Sequence, residues 1–249
     1  MSKANIAFFI LYIVLILTGI VFSATQLNDI YDYEFPDKIE SGKLMRMKHG
    51  CFYLPKGYNS KKQYPLVITL HPMSTGEETF IYSNNLTDYA DKRGYILLAV
   101  RATKLVWEEE PDSGTILKMA SVIKTKLPIN KKRILLTGFS SGGHFTLTML
   151  LYNRRFFTSE TLFTAFAAGG GGAGYELGIM MGKNRTPNPK TPGYIYWGIK
   201  EPGVPGKEVS EYLLNHGWNI VANEHPGHHF VPDGEFERIF DWFDNLELN

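Results

Sequence analysis

Arg133-Ile134-Leu135-Leu136-Thr137-Gly138-Phe139-Ser140-Ser141-Gly142 is the stretch on which the fold turns. Arg133 to Thr137 is a short apolar run of strand length, and Gly142 to Tyr152 follows it directly with the character of a helix. Between them Gly138-Phe139-Ser140-Ser141-Gly142 matches G-x-S-x-G. At average glycine and serine usage that pattern arises by chance about 0.1 times in a chain this long, so alone it decides little. Its position decides more, because a tight strand-to-helix turn is where an exposed nucleophilic serine is made. Small flanking residues let the backbone turn sharply enough to lift Ser140 Oγ above the carboxyl edge of a sheet. The next amide, Ser141 N–H, then sits at a helix N-terminus, where it can meet a developing oxyanion.

Working outward, short apolar runs alternate with helix-length amphipathic segments. Cys51 to Leu54 reads as the end of a strand, and Pro65 to Leu70 as a strand buried on both faces. A helix is predicted from about Asn85 to Arg93, stopped by Gly94, followed by a strand from Tyr95 to Val100. Asp112-Ser113 can cap a helix to about Lys126, with Ile116, Met119, Ile123 and Leu127 at helical spacing. Beyond Ser140, strands are predicted at Thr161 to Ala168, Tyr194 to Trp197 and Trp218 to Ala222. Helices are predicted near Glu208 to Asn215 and Phe236 to Leu246. This alternation implies one α/β domain over 31–249, a doubly wound, mostly parallel sheet with helices on both faces.

The whole chain has 249 residues, 44% apolar and 20% charged, which excludes a largely disordered protein. Twenty-six basic against 25 acidic residues give a net charge of +1, so no broad footprint for nucleic acid is expected. Cys51 is the only cysteine, which excludes a disulfide scaffold and reads as a small apolar strand residue. The amino end differs from the rest. Lys3 precedes an apolar run from Ile6 that is broken only by Thr18-Gly19 and reaches Phe22. Residues 1–24 therefore read either as a signal peptide cleaved after Ser23 or as a single amino-terminal membrane anchor, and both imply export.

The elbow, together with Tyr53-Leu54-Pro55, Gly57-Tyr58, Leu70-His71, Trp107 and Gly227-His228, resembles the α/β-hydrolase superfamily. Within it the chain is most similar to compact esterases related to polyhydroxybutyrate depolymerases and feruloyl esterases. The resemblance covers roughly Gly50 to the carboxyl end. It implies a catalytic triad in the chain order serine, acid, histidine. The acid's place, a Gly-x-x-Asp loop after a strand, is held here by Gly198-Ile199-Lys200-Glu201, so Glu201 is the candidate. The base's place, a Gly-His after the last strand, makes His228 the candidate ahead of His229 and His225. The family's oxyanion loop usually reads His-Gly. Here it is His71-Pro72-Met73, and proline has no N–H, so the backbone donors implied are Met73 and Ser141. His71 is expected to shape that loop rather than carry protons.

Other signals carry less. His225, His228, His229 and Asp233 are metal-ligand types, but Pro226 prevents a helical display and no partner motif accompanies them. Gly169 to Gly174 formally satisfies G-x-G-x-x-G, yet no acid follows between Glu176 and Glu201 to hold a ribose. It reads as a flexible loop beside the serine. Glu108 to Glu110 reads as a solvated turn, and Tyr152, Phe156, Phe157 and Phe163 as core or acyl-pocket walls. The resulting expectation is an exported serine esterase without cofactor or metal, acting on a small or polymer-borne ester. The substrates implied by the resemblance are feruloyl or acetyl esters of polysaccharide, or short polyesters. Two alternatives stay open: a serine peptidase on the same fold, and a non-catalytic hydrolase-like binding protein tethered outside the membrane.

Overall fold

The computed structural model describes residues 34–152, 163–172, 191–201 and 206–247. The apolar runs pair into one eight-stranded sheet with the order β1-β2-β4-β3-β5-β6-β7-β8. In chain order the strands are β1 (Leu44–Met47), β2 (Gly50–Tyr53), β3 (Tyr64–Leu70), β4 (Ile96–Val100), β5 (Ile129–Phe139), β6 (Ala165–Gly169), β7 (Gly193–Gly198) and β8 (Ile220–His225). β1–β2 and β2–β4 pair antiparallel and every other pair is parallel. The helices are α1 (Glu77–Ser83), α2 (Leu86–Arg93), α3 (Glu109–Lys126), α4 (Ser141–Tyr152), α5 (Gly206–Asn215) and α6 (Glu235–Asp244).

Strand side chains alternate between two cores. Leu66, Ile68, Leu70, Ile96, Leu98 and Leu136 pack with α3 and α4, a layer continued by Phe166 and Ile195 against α5. Val67, Leu97, Leu135, Tyr194 and Tyr196 pack instead with α1, α2 and α6. Both faces of the sheet are therefore covered, as parallel strands require. All five parallel connections leave the carboxyl edge of the sheet, so the loops after β3, β4, β5, β6, β7 and β8 gather there.

The doubly wound domain read from the sequence is present. Two of its elements have no counterpart in that reading, β1 and α1. Helix α3 begins at Glu109, ahead of the Asp112-Ser113 cap, with non-helical backbone at Glu110. Asp112 is fully buried and its carboxylate works outside the helix, accepting Thr103 N–H at 2.9 Å and Glu108 N–H at 2.8 Å. Phe163 belongs to the core, and Glu109 and Glu110 are exposed. The amino-terminal segment 1–24, Phe156, Phe157, Ala173 and Gly174 lie outside the described residues, as does the side chain of Tyr152. Among the described residues no helix is long and apolar enough to cross a membrane.

Candidate active site

Strand β5 ends at Phe139 and α4 begins at Ser141, leaving Ser140 alone to make the turn. It does so in the left-handed region, φ +56°, a conformation that costs a non-glycine residue on the order of 1–3 kcal/mol. Ser140 N–H donates to Gly169 C=O at 2.8 Å and Ser140 C=O accepts His144 N–H at 2.8 Å, so β6 and the first helical turn hold the strain. The two motif glycines follow from packing. A Cβ on Gly138 would lie 2.3 Å from Gly142 C=O, and one on Gly142 would lie 2.1 Å from Leu70 C=O. The helix start is thus pressed against both its own strand and the end of β3.

That second contact brings the two oxyanion candidates to one place. Ser141 N–H is in the first helical turn, where amides lack intrahelical acceptors. The chain beyond Leu70 runs straight into His71-Pro72-Met73. Pro72 C=O accepts His71 Nδ1–H at 2.9 Å, Thr75 Oγ1–H at 3.1 Å and Thr75 N–H at 3.4 Å. A trans peptide directs its N–H opposite to its C=O, so Met73 N–H faces away from those donors. Among the described residues it has no hydrogen-bond acceptor.

His71 shapes this loop, as the sequence suggests. Its ring is buried and lies tilted against Trp107, ring centroids 5.1 Å apart. Nε2 accepts Ala102 N–H at 3.1 Å, which leaves the ring proton on Nδ1 for Pro72. Trp107 Nε1–H donates to His71 C=O at 2.8 Å. Burial lowers the His71 pKa from the ordinary imidazole value, in keeping with this neutral tautomer.

The base position needs a correction. His229, not His228, faces the serine: His229 Nε2 lies 2.7 Å from Ser140 Oγ. His229 Nδ1 contacts Glu201 Oε1. The reason for the one-residue offset is how the Gly227-His228 backbone is used. Lys200 N–H donates to Gly227 C=O at 3.0 Å, and Ile199 N–H to His225 C=O at 2.9 Å. A Cβ on Gly198 would sit 2.4 Å from His228 C=O, so that peptide lies flat on β7's last glycine with the His228 side chain exposed. The next residue is the one that reaches over the sheet. His229 packs on Phe139, ring centroids 4.9 Å apart, and beside Gly170, where a Cβ would come within 3.1 Å of its ring. His225 is buried under Phe230 and accepts Gly227 N–H at 3.2 Å.

The line Ser140–His229–Glu201 has the polarity of a charge-stabilised general base. A carboxylate only accepts, so Nδ1 carries the ring proton and Nε2 is free to accept from Ser140 Oγ–H. The Glu201 side chain is 4% exposed and the His229 side chain 45%. Desolvation lowers the His229 pKa from its ordinary value of 6.5. The Glu201 carboxylate acts in the opposite sense, favouring the imidazolium once it forms. Glu201 is carried by a turn closed by its own N–H to Gly198 C=O at 3.1 Å. The arrangement is competent for nucleophilic acyl transfer.

The glycine run serves this same packing. Gly169 lies against the Tyr196 ring, Gly170 against Phe139 and His229, and Gly171 against the His144 backbone. No side chain could occupy those positions, which accounts for the glycines without a phosphate. Among the described residues no cluster of metal-ligand side chains occurs. Phe139, on which the His229 ring packs, has no signal in the sequence because the second position of G-x-S-x-G carries no chemical requirement.

No protein-family model and no curated protein sequence matches the chain. Solved structures do. The chain is similar to FphF, a fluorophosphonate-binding serine hydrolase of Staphylococcus aureus, with TM-score 0.62 and 16% identity over 84% of this chain and 96% of that one. It is also similar to the S-formylglutathione hydrolase FrmB of the same organism, with TM-score 0.60 and 16% identity over 78% of this chain and 89% of that one. An acetyl xylan esterase from Aspergillus awamori aligns with TM-score 0.56 and 14% identity over 78% of this chain and 93% of that one. These likenesses establish the α/β-hydrolase fold that the sequence resembles.

Proposed function

We propose that this protein is an exported serine hydrolase of carboxylic esters working through an acyl-enzyme. The observation that carries the proposal is the hydrogen-bonded line from Ser140 Oγ through His229 to Glu201. His229 Nε2 takes the proton of Ser140 Oγ as that oxygen bonds to the ester carbonyl carbon, and the carbonyl oxygen becomes an oxyanion held by Ser141 and Met73 N–H. When the tetrahedral adduct collapses, the ester C–O bond breaks and His229 returns the proton to the departing alkoxide. Water, activated by the same ring, then attacks the acyl-enzyme and releases a carboxylic acid and free Ser140. Each half-reaction returns the protein to its starting protonation, so no cofactor is needed.

The substrate side is read from the surroundings. Met73, Leu105, Val106, Ile199 and Phe230 are large apolar side chains left exposed on loops after β3, β4, β7 and β8, on both flanks of Ser140. Such flanks suit an ester with an apolar or aromatic part. That agrees with feruloyl or acetyl esters on a polymer, or short polyesters, as the substrate class. The amino-terminal apolar run supplies the case for export.

The test pairs a fluorophosphonate probe with two substrates, a p-nitrophenyl ester and a peptide anilide. The proposal expects a mass adduct on Ser140, its loss in Ser140→Ala, and turnover of the ester far above the anilide. Folded protein that neither labels nor hydrolyses the ester would favour the non-catalytic binding reading. Anilide turnover exceeding ester turnover would favour a peptidase.

A further inference from the structure

At the amino-terminal edge of the sheet, opposite Ser140, two surface turns bring four lysines together. Asn59 Oδ1 accepts Lys61 N–H at 2.9 Å and Asn59 C=O accepts Lys62 N–H at 3.0 Å, presenting Lys61-Lys62 just before β3. Asn130 Oδ1 accepts Lys132 N–H at 3.0 Å, presenting Lys131-Lys132 at the start of β5. The two turns are neighbours because Tyr64 pairs with Ile129 and Tyr64 N–H donates to Pro128 C=O at 2.9 Å. The register then shifts. β3 passes from Tyr64 to Leu66 while β5 passes from Ile129 to Ile134, so 130–133 bulge out of the ladder. A bulge of this kind redirects side chains, and here it pushes two lysines outward.

All four lysines are exposed, and none is in an ion pair among the described residues. Of the acids near that edge, Asp91 is engaged with Lys56 and Tyr53 and Asp244 with Arg93 and Tyr95, while the exposed Glu247 follows Leu246, whose C=O accepts Arg133 Nη1–H at 3.4 Å. Helix dipoles explain the basic last turns of α2 and α3, but these four lysines lie outside helices. Like charges so placed repel one another unless an anionic surface neutralises them. The chain as a whole is close to neutral, so this is segregation of charge rather than excess.

The sequence supplies the second argument. The apolar run ends at Phe22, and 11 residues separate it from Glu34, a reach of roughly 40 Å when extended. The described chain then packs Phe35 on Phe52 and brings Gly42 against Leu54 and the Lys56 side chain, at the lysine-bearing edge.

We propose that this edge docks on a bilayer of anionic phospholipid to which the amino-terminal segment tethers the domain. Each lysine held at such a surface favours docking by a factor of about five, so the four together are worth about 10²–10³. The seven residues of β3 set the serine roughly 23 Å above the lipid, facing outward to aqueous or polymer-borne esters rather than into the bilayer. The proposal rests on the proposed export with the segment retained, and not on the chemistry of Ser140.

The test uses the full chain reconstituted in vesicles, neutral or with a third of anionic lipid, probed by amine acylation and mass spectrometry. Acylation of Lys61, Lys62, Lys131 and Lys132 should fall severalfold on anionic vesicles and recover in high salt. Lys104 and Lys200, on loops at the catalytic edge, should not change. Lys131→Glu with Lys132→Glu should return Lys61 and Lys62 to full acylation, while hydrolysis of a soluble p-nitrophenyl ester stays at the parent rate. Equal acylation on both vesicles overturns the proposal, as does protection of Lys104 and Lys200 instead. Protection by soluble polygalacturonate but not by anionic vesicles also overturns it, assigning the lysines to an anionic polymer. The salt arm needs no variant, so an unfolded variant leaves the test intact. Docking with no ester turnover would refute only the esterase proposal.

Discussion

Glu201→Asp is a conservative change that the geometry makes severe. Removing one methylene withdraws the carboxylate by about one C–C bond, roughly 1.5 Å. In a flexible loop the backbone could advance to compensate. Here the backbone leading into it is tied down: Glu201 N–H to Gly198 C=O, Lys200 N–H to Gly227 C=O, and Ile199 N–H to His225 C=O, all between 2.9 and 3.1 Å. The variant carboxylate is therefore left beyond hydrogen-bonding distance of His229 Nδ1. A misplacement of about 1 Å costs on the order of 10²-fold, and complete loss of a triad acid about 10⁴-fold, so kcat/KM should fall by about 10²–10³. That is about 2.7–4 kcal/mol of transition-state stabilisation. Glu201→Gln keeps the length and loses the charge, and should cost roughly 10²–10⁴. The assay is kcat/KM on a soluble p-nitrophenyl ester, with circular dichroism confirming the fold. Glu201→Asp within fivefold of the parent would refute the argument that the acid's backbone is fixed.

The His229 pKa lies below its ordinary 6.5, and the base works only when neutral. kcat/KM should therefore be full at pH 7 and fall as pH drops through that lowered value; an acid limb centred above 7 in a pH–rate profile would contradict this. Gly142→Ala places a Cβ 2.1 Å from Leu70 C=O where ordinary contact begins at 3.4 Å, a shortfall of about 1.3 Å. It should cut kcat/KM by about 10² or more with a lowered Tm, and parent-like kinetics would show that the elbow does not need this contact. Glu235 is fully buried and accepts from Tyr194 Oη, Asn223 Nδ2 and Arg238. Glu235→Ala should lose about 3 kcal/mol in urea unfolding while the intact triad keeps ester turnover per folded molecule; a loss under 1 kcal/mol would mean the network contributes little.

The parallel sheet and the elbow are legible because their signals are local: apolar runs of strand length, and a serine between a strand and a helix. β1 is not, because Leu44–Met47 is a short edge strand with one buried residue. α1 is not, because Gly76 and the left-handed Asn85 bound a single short segment with no side-chain cap at either helix start. Glu201 follows from its loop, and its carboxylate reaches a histidine beside Ser140. That histidine is His229, one residue past the expected His228. His228 and His229 are identical in type and adjacent, and what separates them is long-range: Gly198 receives the Gly227-His228 backbone, and Phe139 receives the next ring. Nothing local to the Glu224–Phe230 stretch encodes either contact. The basic edge is invisible for the same reason, since a near-neutral total hides charges that the Tyr64–Ile129 register brings together.

Whether His229 is the base of Ser140 is measured most directly by paired variants. On a soluble activated ester, His229→Ala should lose at least about 10⁴-fold in kcat/KM, close to the loss in Ser140→Ala, because the serine then has no proton acceptor. His228→Ala, which removes an exposed side chain and leaves the loop backbone in place, should stay within a few-fold of the parent. An inactive His228→Ala beside an active His229→Ala would contradict the account outright.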